Sequence, residues 1–134
     1  MPRTHRKHSR LALALVALIA LGLGSRSPGM PSLVVLYVGD VLWGSLFFVL
    51  GALLRPADSS LRIGIGSLLL AELIECSQLY QAPWAEAVRA TRVGGLLLGH
   101  SFLWSDLLCN ALGASLALFT DAALSRRGSL QSLG

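Results

Sequence analysis

Charge is scarce in this chain. Asp, Glu, Lys and Arg make up 13% of its 134 residues, about half of what a soluble domain of this size carries. A water-facing surface is hard to build from so little, and 54% of the residues are apolar, with a mean hydropathy of +0.66. The apolar residues fall into runs close to the roughly 20 residues that a helix needs to cross hydrocarbon, so lipid is the expected solvent. Cysteine is nearly absent as well. Cys76 and Cys109 both lie inside apolar runs and read as small buried groups, which excludes a disulfide framework. The net charge of +4 does not indicate nucleic acid, because Arg3, Arg6, Lys7, Arg10, Arg126 and Arg127 flank apolar segments at the two ends, as topology signals do. No histidine stands among the polar residues of the runs and no nucleophile stands out, so neither a metal nor a cofactor is expected. Gly94-Gly95 and Gly99 lack the strand-then-helix setting of a nucleotide loop and are expected to supply bends and close packing.

What is present is four apolar segments, at 11–24, 33–54, 61–80 and 102–120. They predict an all-α integral membrane bundle of four transmembrane helices, preceded by a basic cytoplasmic segment at 1–10 and followed by a cytoplasmic tail at 121–134 that is polar and irregular over 125–134. The first segment is short, offering about 22 Å of helix between Arg10 and Arg26. Snorkelling of those two arginines extends its reach. A signal peptide is the alternative, but Gly22-Leu23-Gly24-Ser25 gives no Ala-x-Ala cleavage site, which favours a retained span. Pro28 and Pro31 break the chain before the second segment, and Arg55-Pro56 ends it. Between the third and fourth, residues 83–93 predict a short interfacial helix, with Pro83 to start it, Gly94 to end it, and Trp84 and Val88 on one face. With a cytoplasmic amino terminus, eight of the 11 basic residues lie inside, and Arg26, Arg89 and Arg92 lie outside. The positive-inside rule therefore places both termini in the cytoplasm.

Acidic groups within spans are costly, at about 2.5–3.5 kcal/mol each near the centre, so they need mutual pairing or a function. Asp40, Glu75 and Asp106 all fall toward the outer leaflet. Helical phase groups them with small residues: Asp40 with Gly44, Phe47 and Gly51; Asp106 with Asn110, Gly113 and Ala117; Glu75 with Ala71, Leu68 and Gly64. Such stripes let helices approach closely and hydrogen-bond across the contact. One reading makes Asp40, Glu75, Gln78, Asp106 and Asn110 structural hydrogen-bond partners. A second makes them a binding site under a lid formed by Arg89 and Arg92, one turn apart, which pair with the carboxyls or capture an anionic head group. A third is a membrane enzyme acting through the same carboxyls. Glu72 lies about 60° around the helix from Glu75 and faces either the same site or another helix. Trp43 and Trp104 fit an aromatic belt, and His100 fits a surface or turn position.

Four motifs occur in order: Tyr37-Val-Gly-Asp40-Val-Leu-Trp43, Ile74-Glu75-Cys-Ser-Gln78-Leu-Tyr80-Gln-Ala82-Pro83-Trp84, Arg89-Ala-Thr91-Arg92 and Gly99-His-Ser-Phe102-Leu-Trp104-Ser-Asp106. In this order they resemble a bacterial membrane family known as domain of unknown function 2809, over about residues 11–120. More distantly, Glu75-x-x-Gln78, the following arginines and Asp106-x-x-x-Asn110-x-x-Gly113 are similar to VanZ-like proteins, with Asp40 standing where those usually carry a histidine. The resemblance implies a bacterial plasma-membrane protein. The expected partners are the lipid bilayer and an envelope-associated lipid-linked or amphiphilic anion, with no nucleic acid, and the small-residue stripes leave room for a homo-oligomer.

Overall fold

The computed structural model describes residues 6–99 and 102–131. His100 lies outside them. Among the described residues, six helices follow one another: α1 (His8–Ser25), α2 (Gly39–Leu54), α3 (Ser60–Ser77), α4 (Pro83–Arg89), α5 (Arg92–Leu98) and α6 (Trp104–Gln131), with no strand. A wider π-helical turn at Val34–Val38 runs directly into α2. Such turns concentrate at functional sites, and this one ends two residues before Asp40.

Local chemistry explains the boundaries. Pro28, Gly29 at φ +90° and Pro31 form the break between α1 and α2. Ser59 caps α3 by accepting from the Arg62 amide at 3.3 Å. Pro83 sits in the first turn of α4, where its missing N–H costs nothing. The single interfacial helix expected over 83–93 is two helices, because Thr91 leaves the helical conformation and its hydroxyl accepts from Gly94 N–H at 3.0 Å to begin α5. Gly94 therefore lies inside a helix instead of ending one, and a Cβ there would strike the Val88 carbonyl. Thr91→Ala is expected to remove about 1 kcal/mol from the start of α5, seen as faster amide exchange at Gly94 and Gly95 with the long helices unaffected.

The tail also differs from expectation: α6 continues through 121–131 instead of ending near Thr120. Ala122, Ala123, Leu124, Arg126 and Arg127 are good helix formers, and they carry the helix through Gly128, the weakest former of the stretch.

Among the described residues, three helices are long and apolar enough to cross a membrane: α1, the continuous Val34–Leu54 helix and α6. The 18-residue α3 carries Arg62, Glu72 and Glu75, and that charge separates it from the other three.

The long helices pack side by side. Ser60 meets Asp121 at 2.5 Å at one end and Glu75 meets Asn110 at 3.4 Å near the other, so α3 and α6 are antiparallel. Ser45 Oγ donates to the Gly113 carbonyl at 2.8 Å. Gly44 faces the Asn110 backbone so closely that a Cβ would overlap it, and Gly113 faces the Val41 carbonyl in the same way. α2 and α6 therefore run parallel at near backbone contact, the approach that small residues permit between membrane helices. Phe48, Ala52 and Ile63 form the buried apolar centre, with Leu11, Ala117 and Leu118 against it. Leu61, Ile65, Leu69 and Leu73, spaced by four along α3, are all more than half exposed.

Candidate functional site

Glu75 is the centre of a polar cluster where α2, α3 and α6 meet. It is 5% exposed. Its Oε2 accepts from Gln78 Nε2 at 2.7 Å, one turn further along α3, and its Oε1 accepts from Asn110 Nδ2 of α6 at 3.4 Å. Asn110 is fully buried. One carboxyl thus takes both side-chain amides, and the carbonyl oxygens Gln78 Oε1 and Asn110 Oδ1 are buried with no hydrogen-bond partner. Buried acceptors without donors are rare in folded proteins and call for a physical reason.

Asp106 stands in the first turn of α6, where its Oδ2 accepts from Leu103 N–H at 3.1 Å. The carboxylate reaches back to an otherwise orphaned amide, as in half of a capping box. Asp40, in the first turn of α2, stands at the same end of the bundle as Asp106. The counter-charge at hand is Arg26, whose Nη2 lies 3.9 Å from Asp40 Oδ1, with the arginine side chain 48% exposed.

These groups surround a cavity of about 330 Å³, lined by Arg26, Asp40, Trp43, Glu75, Gln78 and Asp106 among others. Gly99, at φ +70°, lets the loop after α5 close on the cavity, because a Cβ there would overlap the Gln78 amide. Among the described residues no group of three or more His, Cys, Asp or Glu is arranged to hold a metal ion.

The structure brings together five of the residues singled out in the sequence: Asp40, Glu75, Gln78, Asp106 and Asn110. It does not bring Arg89 and Arg92 to them. Arg89 is buried, and its Nη1 and Nη2 donate to the carbonyls of Tyr80 at 2.9 Å and Ser77 at 2.6 Å. It therefore closes the carboxyl end of α3, where a cation suits the helix dipole. Arg92 is exposed at the start of α5, on the far side of the Thr91 break, so the two arginines are not one turn apart on a single helix and neither lines the cavity. Glu72 does not line it either.

Trp43 corrects the belt assignment for its position. It lines the cavity and stacks edge-on with Phe47 at 5.3 Å, whereas Trp84 and Trp104 are 65% and 75% exposed. Sequence reasoning treated Arg26 as a span-flanking residue and missed its place in the site. The available signal was its position as a lone cation in the turn that delivers the chain to Asp40.

The arrangement is that of a helical protein with membrane-length apolar helices and a polar, acid-rich cavity where helix ends converge. A family model described as "Protein of unknown function (DUF2809)" matches residues 30–114, and the chain belongs to that family. The matched stretch runs from the π-helical turn into α6 and contains the cavity residues of α2, α3 and α6, while Arg26 precedes it. No solved structure matches the chain.

Proposed function

We propose that the protein is a four-span plasma-membrane protein of the bacterial envelope, with both termini cytoplasmic, whose cavity holds the head group of an envelope-associated amphiphile. The observation that carries this reading is the convergence of Asp40, Glu75, Gln78 and Asp106, from three helices, on one cavity. Acids at membrane depth without a full set of partners mark functional sites by default.

Support for α3 as the fourth span comes from its lipid-type face of Leu61, Ile65, Leu69 and Leu73 and from its full-length antiparallel packing on α6. Its 18 residues reach about 27 Å, close to the hydrocarbon thickness. The preference for an anionic ligand rested on Arg89 and Arg92, and the cavity does not include them. A membrane enzyme using the same carboxyls is the rival reading, since Asp40, Glu75 and Asp106 all line the cavity.

Orientation and access are tested together. With Cys76 and Cys109 replaced by Ser, Asp40→Cys is expected to react with a membrane-impermeant maleimide from the periplasmic side only. A phosphatase fused after Arg89 is expected to be active, and a fluorescent protein fused after Arg127 to be bright. Labelling from the cytoplasmic side with the reverse fusion pattern would overturn the orientation, and an Asp40→Cys variant that reacts from neither side would remove the cavity as an open site.

A further inference from the structure

A second cavity adjoins the first. About 210 Å³ of space lies between α1 and α2, walled by Leu18 and Gly22 on one side and Leu42 and Leu46 on the other. Arg26, Trp43 and Leu97 line both cavities, so an apolar slot abuts the polar cavity along a shared wall. We infer that the occupant is a long-chain amine, with its alkyl tail in the slot between α1 and α2 and its ammonium among Asp40, Glu75 and Asp106. This rests on the head-group-binding reading given above and adds the chemical class.

Two independent observations select that class. The first is charge: three carboxyls line the polar cavity against one guanidinium, and that guanidinium sits at the slot junction, 3.9 Å from Asp40. An anionic head group would face an excess of like charge, while an ammonium would be paired. The second is hydrogen-bond polarity. Gln78 is 6% exposed and lines the cavity, its Nε2 donates to Glu75, and its buried Oε1 has no donor. A site with a surplus of acceptors recognises a ligand rich in N–H donors and rejects one that brings only oxygens. The slot supplies the other half of the specificity, since its apolar walls open beside the ammonium position and Gly22 leaves room for a chain, with no atom within 4 Å of where its Cβ would be.

The test uses the full chain in phosphatidylcholine nanodiscs, with Trp84→Phe and Trp104→Phe so that Trp43 alone reports. The probes are dodecylamine, dodecyl phosphate and butylamine, and the readout is Trp43 emission. Dodecylamine is expected to saturate the signal at the lowest concentration, ahead of either other probe by roughly tenfold or more, the scale of one charge-assisted hydrogen bond. Asp40→Asn is expected to weaken dodecylamine by a similar factor, which separates the site from simple partitioning into the bilayer. Gly22→Phe is expected to fill the slot and erase the advantage of the long chain over butylamine. Dodecyl phosphate binding as well as the amine, butylamine matching dodecylamine, or Asp40→Asn without effect would each overturn the inference while leaving an occupied pocket. Trp43 emission unchanged by all three probes would overturn the pocket reading as well.

Discussion

Gly113→Val is expected to leave little folded protein: in detergent, its apparent melting temperature should fall by more than about 10 °C, corresponding to a loss of about 3 kcal/mol or more. At this position a Cβ falls on the Val41 carbonyl and within 3.0 Å of the Ser45 amide nitrogen. These obstacles are backbone, so no side-chain rotation can relieve the overlap and α2 must move away from α6. That movement would break the Ser45–Gly113 hydrogen bond at 2.8 Å. It would also separate Asp40 from Asp106. Gly44→Val should act in the same way from the opposite helix, because its Cβ meets the Asn110 backbone. Gly66→Ala provides the control, since nothing lies within 4 Å of a Cβ there and alanine strengthens the helix. A Gly113→Val protein that melts with the wild type would show that α2 and α6 do not approach this closely.

Arg6→Ala is expected to cost about 3–5 kcal/mol, the penalty for stripping one partner from a buried ion pair. The Arg6 side chain is 4% exposed. Nε and Nη2 bind Asp121 at 2.9 and 2.7 Å, Nη1 donates to the Pro56 and Asp58 carbonyls at 2.9 and 2.7 Å, and Nη2 reaches Ser60 Oγ at 3.1 Å. One guanidinium thus ties the segment before α1, the turn between α2 and α3, and α6 just beyond its apolar stretch. Lysine cannot reproduce the planar fork, so Arg6→Lys should recover only part of the loss.

Acid should uncouple the same cluster. Burial alone would raise the Asp121 pKa, but hydrogen bonds from Arg6 and Ser60 and the Arg6 charge outweigh it and hold the carboxyl below its ordinary 3.8. A carboxyl depressed in the folded state stabilises the fold above its unfolded value and loses that contribution as pH falls through the folded one. The difference in melting temperature between wild type and Arg6→Ala should therefore shrink as pH falls, starting where the Asp121 carboxyl of Arg6→Ala, left to burial, takes up its proton and finishing below about 3.8, where the wild-type carboxyl does. A gap that stays constant down to about pH 3 would show that another group controls this end of the bundle.

Periodicity and charge made the long helices and the stripes legible. Asp40, Glu75 and Asp106 sit above small residues at helical spacing, and that pattern alone implied that the three helices meet. What stayed hidden depends on contacts between distant parts of the chain. Arg6 and Asp121 are 115 positions apart, and nothing local to either residue announces the other. Arg26 resembled any span-flanking arginine because its role comes from where the Pro28–Pro31 turn carries the chain. Arg89 and Arg92 were grouped by a helical spacing that Thr91 interrupts, and Thr91 reads as a cap only once Gly94 is seen to tolerate the crowding at Val88. The π-helical turn left no mark on an unbroken run of apolar residues. The continuation of α6 was masked by polar composition, which describes the surroundings of a helix more directly than its existence.

The Arg6 clasp also sets an order of assembly. At about 5–20 residues per second of synthesis, the 115 residues between Arg6 and Asp121 take roughly 6 to 23 s to emerge. Through that interval the guanidinium can meet the Pro56 and Asp58 carbonyls and the Ser60 hydroxyl but not Asp121. Only once Asp121 has emerged can the pair close, so the clasp that joins the segment before the first long helix to the last one is among the final contacts open to the growing chain.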